Sequence, residues 1–187
     1  MKTITLLFTT FALSVLTSCG SNGTAETKTT EKAPEVEITD AKSTMSAYEY
    51  YDLIIKKTNP LIQEHEDDLI KSFNTYIPSE MEGAFNKFEK YVHKIDKELE
   101  NVLPYDGNDD FIEHARSLVD AYKKVIPLYK EKVKIESLPN DLYTPEKADR
   151  SKELMNEIDV ILNVFNEEFR ATSTGFADDH GIKINKK

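Results

Sequence analysis

The chain has 187 residues, 34 acidic and 24 basic side chains, and a net charge of −10. So acidic a surface repels phosphate backbones, and no Lys/Arg stripe offsets it, which argues against nucleic-acid binding and against electrostatic docking on anionic lipid heads. Trp is absent, Gly and Pro number only 6 and 7, and the body is rich in Leu, Ile, Lys and Glu, a balance that favours helix over sheet.

The first residues read as a targeting segment. Met1-Lys2 supplies a positive start, and Ile4 to Leu16 is an apolar stretch interrupted only by Thr and Ser. It is too short for a stable membrane span and has the proportions of a signal h-region. It ends in Leu16-Thr17-Ser18-Cys19, which resembles the lipobox of bacterial lipoprotein precursors at all four positions: an aliphatic residue, two small residues, then cysteine. The resemblance implies a signal peptide over 1–18, diacylglyceryl transfer to the Cys19 thiol, cleavage after Ser18 and acylation of the new amine, with palmitate among the chains. Two or three acyl chains make a stable anchor. The alternative is an ordinary secretory signal followed by a chance cysteine. Loss of Lys2 with the signal would leave a mature net charge of −11.

Cys19 is the only cysteine, so no internal disulfide can form and Cys-based metal sites and nucleophiles are excluded. Residues 19–43 follow as a tether of Thr, Lys, Glu, Gly and Ala with little to bury, expected to be disordered and to span roughly 25–30 Å. Gly20 is not the Asp that marks inner-membrane retention in such lipoproteins, and the first acid after Cys19 is Glu26. The expected address is therefore the outer membrane, lipid-anchored and facing the periplasm, with the cell surface as the alternative.

Residues 44–187 carry apolar side chains at alternating steps of three and four, the helical spacing. The pattern gives four helices, about 46–77, 79–103, 109–137 and 144–178. Ser46 with Glu49, and Ser79 with Glu82, match capping boxes. The first stripe runs Tyr51, Ile54, Thr58, Ile62, His65, Leu69, Phe73 and Tyr76; the second runs Phe85, Phe88, Val92, Ile95, Leu99 and Val102. Pro104 to Asn108 forms a turn around Gly107. The third stripe runs Phe111, Ala115, Leu118, Tyr122, Val125, Tyr129 and Val133, and the fourth, after Thr144-Pro145, runs Met155, Ile158, Leu162, Phe165, Phe169, Thr172 and Phe176. His180-Gly181-Ile182 matches a glycine stop with an apolar residue folding back. Amphipathic helices on short loops predict an all-α, up-down-up-down antiparallel four-helix bundle; the alternative is a three-helix arrangement with the first helix broken at Pro60. The whole layout resembles small helical lipoproteins of Bacteroidota-type genomes whose function is not assigned, and that resemblance carries over no functional residue besides Cys19.

The body offers little chemistry. None of the four histidines has Glu three residues before it, so the inward Glu-x-x-His pairs of ferritin-like metal sites are missing. Glu89 and His93 read as an exposed pair, and the acidic runs at 64–68 and 178–180 as a solvated face and a helix end. No phosphate loop, nucleophile elbow or nucleophile–base–acid set is legible. No catalytic residue, metal or cofactor is expected. Pro60 and Pro127 fall inside continuing stripes and predict kinks at one level, where His65 would meet the Tyr129 hydroxyl. Paired kinks there would open a pocket lined by His65, Val92, Tyr129 and Met155. The expected function is a non-enzymatic binding or interaction module of the cell envelope with an envelope protein as partner; the alternative is a bundle carrying a small ligand or metal in a mid-core site.

Overall fold

The computed structural model describes residues 43–184; the expected signal peptide, Cys19 and the expected tether through residue 42 lie outside the described residues. The described body is all-helical. It comprises α1 (Ala47–Pro60), a π-helical turn (Leu61–His65), α2 (Glu66–Ser72), α3 (Pro78–Glu100), α4 (Asp110–Glu136) and α5 (Pro145–Asp179). The first three run end to end as one rod, so the architecture is four helices packed against one another.

Ring contacts establish the up-down-up-down order. Tyr50 at the start of α1 lies 5.3 Å from Tyr105, just beyond α3, 6.3 Å from Phe111 at the start of α4, and 5.7 Å from Phe176 near the end of α5. At the other end Lys132, late in α4, sits 4.8 Å over the Phe73 ring beyond α2 and bonds to Ser151, early in α5. Neighbouring helices therefore alternate in direction. The core between them is apolar and continuous, with Ile54, Leu69, Phe88, Val92, Leu118, Tyr122, Tyr129 and Ile158 all at 0% exposure.

Local signals explain most of the ends. Ser46 and Glu49 make the expected reciprocal box: the Glu49 N–H donates to Ser46 Oγ and the Ser46 N–H to Glu49 Oε2, at 3.3 and 3.0 Å. The second box is a correction. Pro78 is the first residue of α3, with Ile77 before it and no side-chain cap, so Ser79 and Glu82 already lie inside the helix. Proline suits that position because its missing N–H has no intrahelical acceptor there. The first rod ends at Ser72, earlier than expected, because residues 73–76 close into a turn with Tyr76 at φ 56 and 80% exposed. Arg116 caps the end of α3, donating to the carbonyls of Leu99 and Val102 at 3.1 and 2.8 Å. Gly181, at φ 64, ends α5 and lets the Ile182 N–H return to the Ala177 carbonyl at 2.7 Å, the fold-back expected from the glycine stop.

The two prolines behave differently. Pro60 is followed by the π turn, in which the Glu66 N–H reaches the Leu61 carbonyl five residues back. Pro127 leaves no such mark: α4 continues as α-helix across it, with Pro127 on the exposed side. The register shift is thus confined to Pro60, and α4 keeps its α spacing through Pro127.

Candidate functional site

The π turn decides what enters the core. Leu61 donates its N–H to Thr58 instead of Lys57, and the freed Lys57 carbonyl accepts a 3.2 Å bond from the Tyr91 hydroxyl of α3. The same Tyr91 ring lies 4.0 Å from the His65 imidazole. One extra residue in the turn rotates the downstream helix by about 100°. His65 is carried to the α3 side, and Glu66 takes the inward place.

Glu66 is half-buried and held by two tyrosines two turns apart on α4. Tyr122 donates to Oε2 at 2.6 Å and Tyr129 to Oε1 at 2.8 Å. The Phe88 ring stands edge-on to both, with centroids 6.0 and 5.3 Å away. Burial raises the Glu66 carboxyl above the ordinary glutamate range; the two phenol bonds pull it partly back, while Asp159 and Asp67 push it up. The phenols are raised in turn, chiefly by burial and then by the adjacent carboxylate. This is a satisfied core network with no open coordination position. Sequence reasoning placed Tyr129 correctly in the core and missed Glu66.

The residues of the expected mid-core pocket are not brought together. Val92 and Tyr129 are packed at 0% exposure in a filled centre. His65 borders a small cleft with Glu80 and Lys87. Met155 borders another near Lys132, at the loop end of the bundle. That second cleft holds a polar cluster absent from the sequence reading: Lys132 Nζ lies 2.6 Å from Ser151 Oγ and 3.1 Å from Glu136, to which the Ser151 hydroxyl also donates. Lys132 is 8% and Ser151 2% exposed. With Glu136 matching the ammonium charge and accepting the serine proton, the cluster is a satisfied ion pair joining α4 to α5, the kind whose disruption is costly.

A concavity with much apolar wall lies between α1 and α5. Helix α5 packs mainly on α4 and meets α1 only sparsely, which leaves a groove of about 620 Å³ whose far side is formed by the C-terminal fold-back. Tyr51, Ile55, Ile62, Phe169, Ile182 and Ile184 supply apolar wall, with Arg170 and Lys183 as its basic groups and Asp52 as its acid. Asn166 lines it from α5. Its amide reaches the Tyr122 hydroxyl, yet its Oδ1 is buried without a hydrogen-bond partner. Asn166 therefore lines the groove while carrying one buried acceptor without a partner. Ile62 and Phe169 were legible as stripe residues; the groove was not, because it arises from the spacing between two helices and no single stripe records that.

Among the described residues, no group of three His, Cys, Asp or Glu side chains could hold a metal ion, and no helix is long and apolar enough to cross a membrane. No protein-family model, curated protein or solved structure matches the chain.

Proposed function

We propose that this chain is a lipid-anchored, non-enzymatic binding module of the cell envelope, attached through Cys19 to the outer membrane on its periplasmic side, and that its α1–α5 groove holds a small amphiphile with an apolar body and an acidic head. The observation that carries the reading is Asn166 Oδ1, buried without a hydrogen-bond partner on a residue that lines this partly apolar groove. Buried acceptors are almost always satisfied, and a bound donor such as an amide N–H would satisfy this one. The volume of about 620 Å³ falls in the range of small-molecule sites. Arg170 and Lys183 against Asp52 leave the lining with one surplus positive charge, which suits a carboxylate head. The lipobox-like Leu16-Thr17-Ser18-Cys19 supports the anchor.

The binding test uses an acyl carboxylate carrying a dansyl amide and a chain lacking the lipid anchor, so that detergent does not compete. Saturable fluorescence enhancement is expected, displaced by palmitate and weakened by about fivefold or more in Arg170→Glu, a charge reversal at an exposed residue. No saturable enhancement, or unaltered affinity in Arg170→Glu, refutes the groove reading. Separately, labelled palmitate entering a Cys19→Ala chain in cells refutes the anchor.

A further inference from the structure

A second concavity, on another flank of α5, faces the turn between α3 and α4. Asp106 and Gly107 occupy that turn at φ 48 and 81, the conformation of a tight hairpin turn. Tyr105 and Asn108 are bonded across it in both directions at 3.1 and 2.8 Å. Tyr105 is thereby held against the end of α5. Its centroid lies 5.4 Å from Phe176 and 5.1 Å from His180, with both ring pairs at 79°, and Phe176 and His180 are 4.5 Å apart. With Phe111, 5.0 Å from Phe176, these rings wall a cavity of about 330 Å³ open to solvent. Asp106, Asp110 and Asp179 border it, and no lysine or arginine does.

Negative potential is concentrated there. Any ring face that its neighbours leave uncovered adds the negative lobe of its quadrupole. Three exposed aspartates, Asp106, Asp110 and Asp179, border the space. The C-terminus of α5 adds its partial negative charge, and α5 ends in Asp178-Asp179 with no basic residue in its last turn. A helix end normally recruits cations from its own sequence; this one presents acids instead. Although acids and an imidazole border the cavity, no three such groups among the described residues could hold a metal ion. Donors spread around 330 Å³ suit a bulky cation whose charge is shared over alkyl groups.

We propose that the cavity walled by Tyr105, Phe111, Phe176 and His180 and bordered by Asp110 and Asp179 binds a small alkylated ammonium ion. Rings attract such ions within about 6 Å, and the carboxylates match the charge. An alkylammonium occurs both as a free solute and as a phospholipid head. The acids around the cavity repel the phosphate beside a lipid ammonium, so the free cation is the ligand. The site is separate from the α1–α5 groove and does not depend on an amphiphile binding there.

The test is calorimetric titration of the full mature chain, in nonionic detergent, with choline, with its neutral isostere 3,3-dimethylbutan-1-ol and with phosphocholine. Choline is expected to bind saturably, the neutral isostere about tenfold more weakly or worse, and phosphocholine more weakly than choline. Phe176→Leu, which keeps the apolar bulk and removes the ring, should cost about fivefold in affinity. Asp179→Asn should cost about threefold, and Asp149→Asn, exposed at the opposite end of α5 and outside the lining, should leave binding unchanged. Phe176 also packs in the bundle end, so Asp179→Asn at an exposed position keeps the test decisive if the Leu variant does not fold. The dansyl acyl probe should bind Asp179→Asn unchanged, which separates the two sites. Equal binding of the neutral isostere, no choline heat at concentrations on the order of 10 mM, or phosphocholine binding as tightly as choline overturns the proposal.

Discussion

Replacing Tyr129 by Phe removes one oxygen from the core and leaves the ring in place against Phe88. That oxygen donates at 2.8 Å to Glu66, a carboxylate whose other oxygen accepts from Tyr122 at 2.6 Å. A hydrogen bond to a charged group contributes about 1.5–3 kcal/mol, and a neutral one about 0.5–1.5. Tyr129→Phe should therefore cost about 1.5–3 kcal/mol near neutral pH. In a Glu66→Gln background the same change should cost about 0.5–1.5, a coupling of roughly 1 kcal/mol between two side chains in contact. Urea unfolding monitored by far-ultraviolet circular dichroism measures all four corners of the cycle. The pH dependence supplies an independent check. Burial is the largest influence on Glu66 and raises its carboxyl in the folded state. A raised acid contributes fully below its unfolded value, about 4.3, and that contribution is lost as pH rises through the folded value. The stability difference between wild type and Glu66→Gln should thus fall as pH rises from the unfolded glutamate value. Measuring that difference matters because Glu49, Glu98 and Glu131 are lowered by their partners and run the other way. Equal losses from Tyr129→Phe in both backgrounds, or a wild-type advantage that grows toward neutral pH, would refute the buried-carboxylate reasoning.

The seam and its faces should separate sharply. Phe88→Ala, at 0% exposure, should cost about 3–5 kcal/mol through lost burial and a cavity, while Lys90→Ala on the exposed face should stay within about 0.5 kcal/mol; similar losses in chemical denaturation would mean the faces are misassigned. Deleting exposed Gln63 from the π turn should give a folded protein of unchanged helicity, because it restores α spacing while keeping Leu61, Glu66 and Leu69 on one seam. Deleting Lys90 from regular α3 should abolish the cooperative melt, since it turns the rest of that seam by about 100°.

Much of the body was legible because three rods obey one period. The stripes of α3 and α4 are buried nearly as read: Phe85, Phe88, Val92, Ile95 and Leu99 on one, Phe111, Ala115, Leu118, Tyr122, Val125, Tyr129 and Val133 on the other. Proline at the first position of α5 and glycine beyond its end marked that helix within a residue at each side. The groove and the aromatic cavity were less legible for a physical reason. Both depend on how far apart helices stand and on how a short turn folds back, and a period along one helix carries no information on either.

The first rod shows where periodicity itself misleads. Leu61 and Ile62 are adjacent and both apolar, so the sequence permits two seams through Leu69. From Ile62 the step is seven residues, which an unbroken helix brings back to within about 20° of the same face; from Leu61 it is eight, about 80° away. An unbroken helix therefore selects Ile62 and, one turn on, His65. The structure buries Leu61 at 0% and absorbs the surplus angle in the π turn beside Pro60. Proline was a visible signal that regular bonding would fail nearby, but a kink and a one-residue register shift have opposite consequences. A kink keeps His65 on the inner face, whereas the shift hands that face to Glu66. Ile62 is displaced by the same rotation from the seam to the wall of the α1–α5 groove. One extra residue in one turn thus accounts for the exchange of His65 for Glu66 in the core and for an isoleucine on the groove wall.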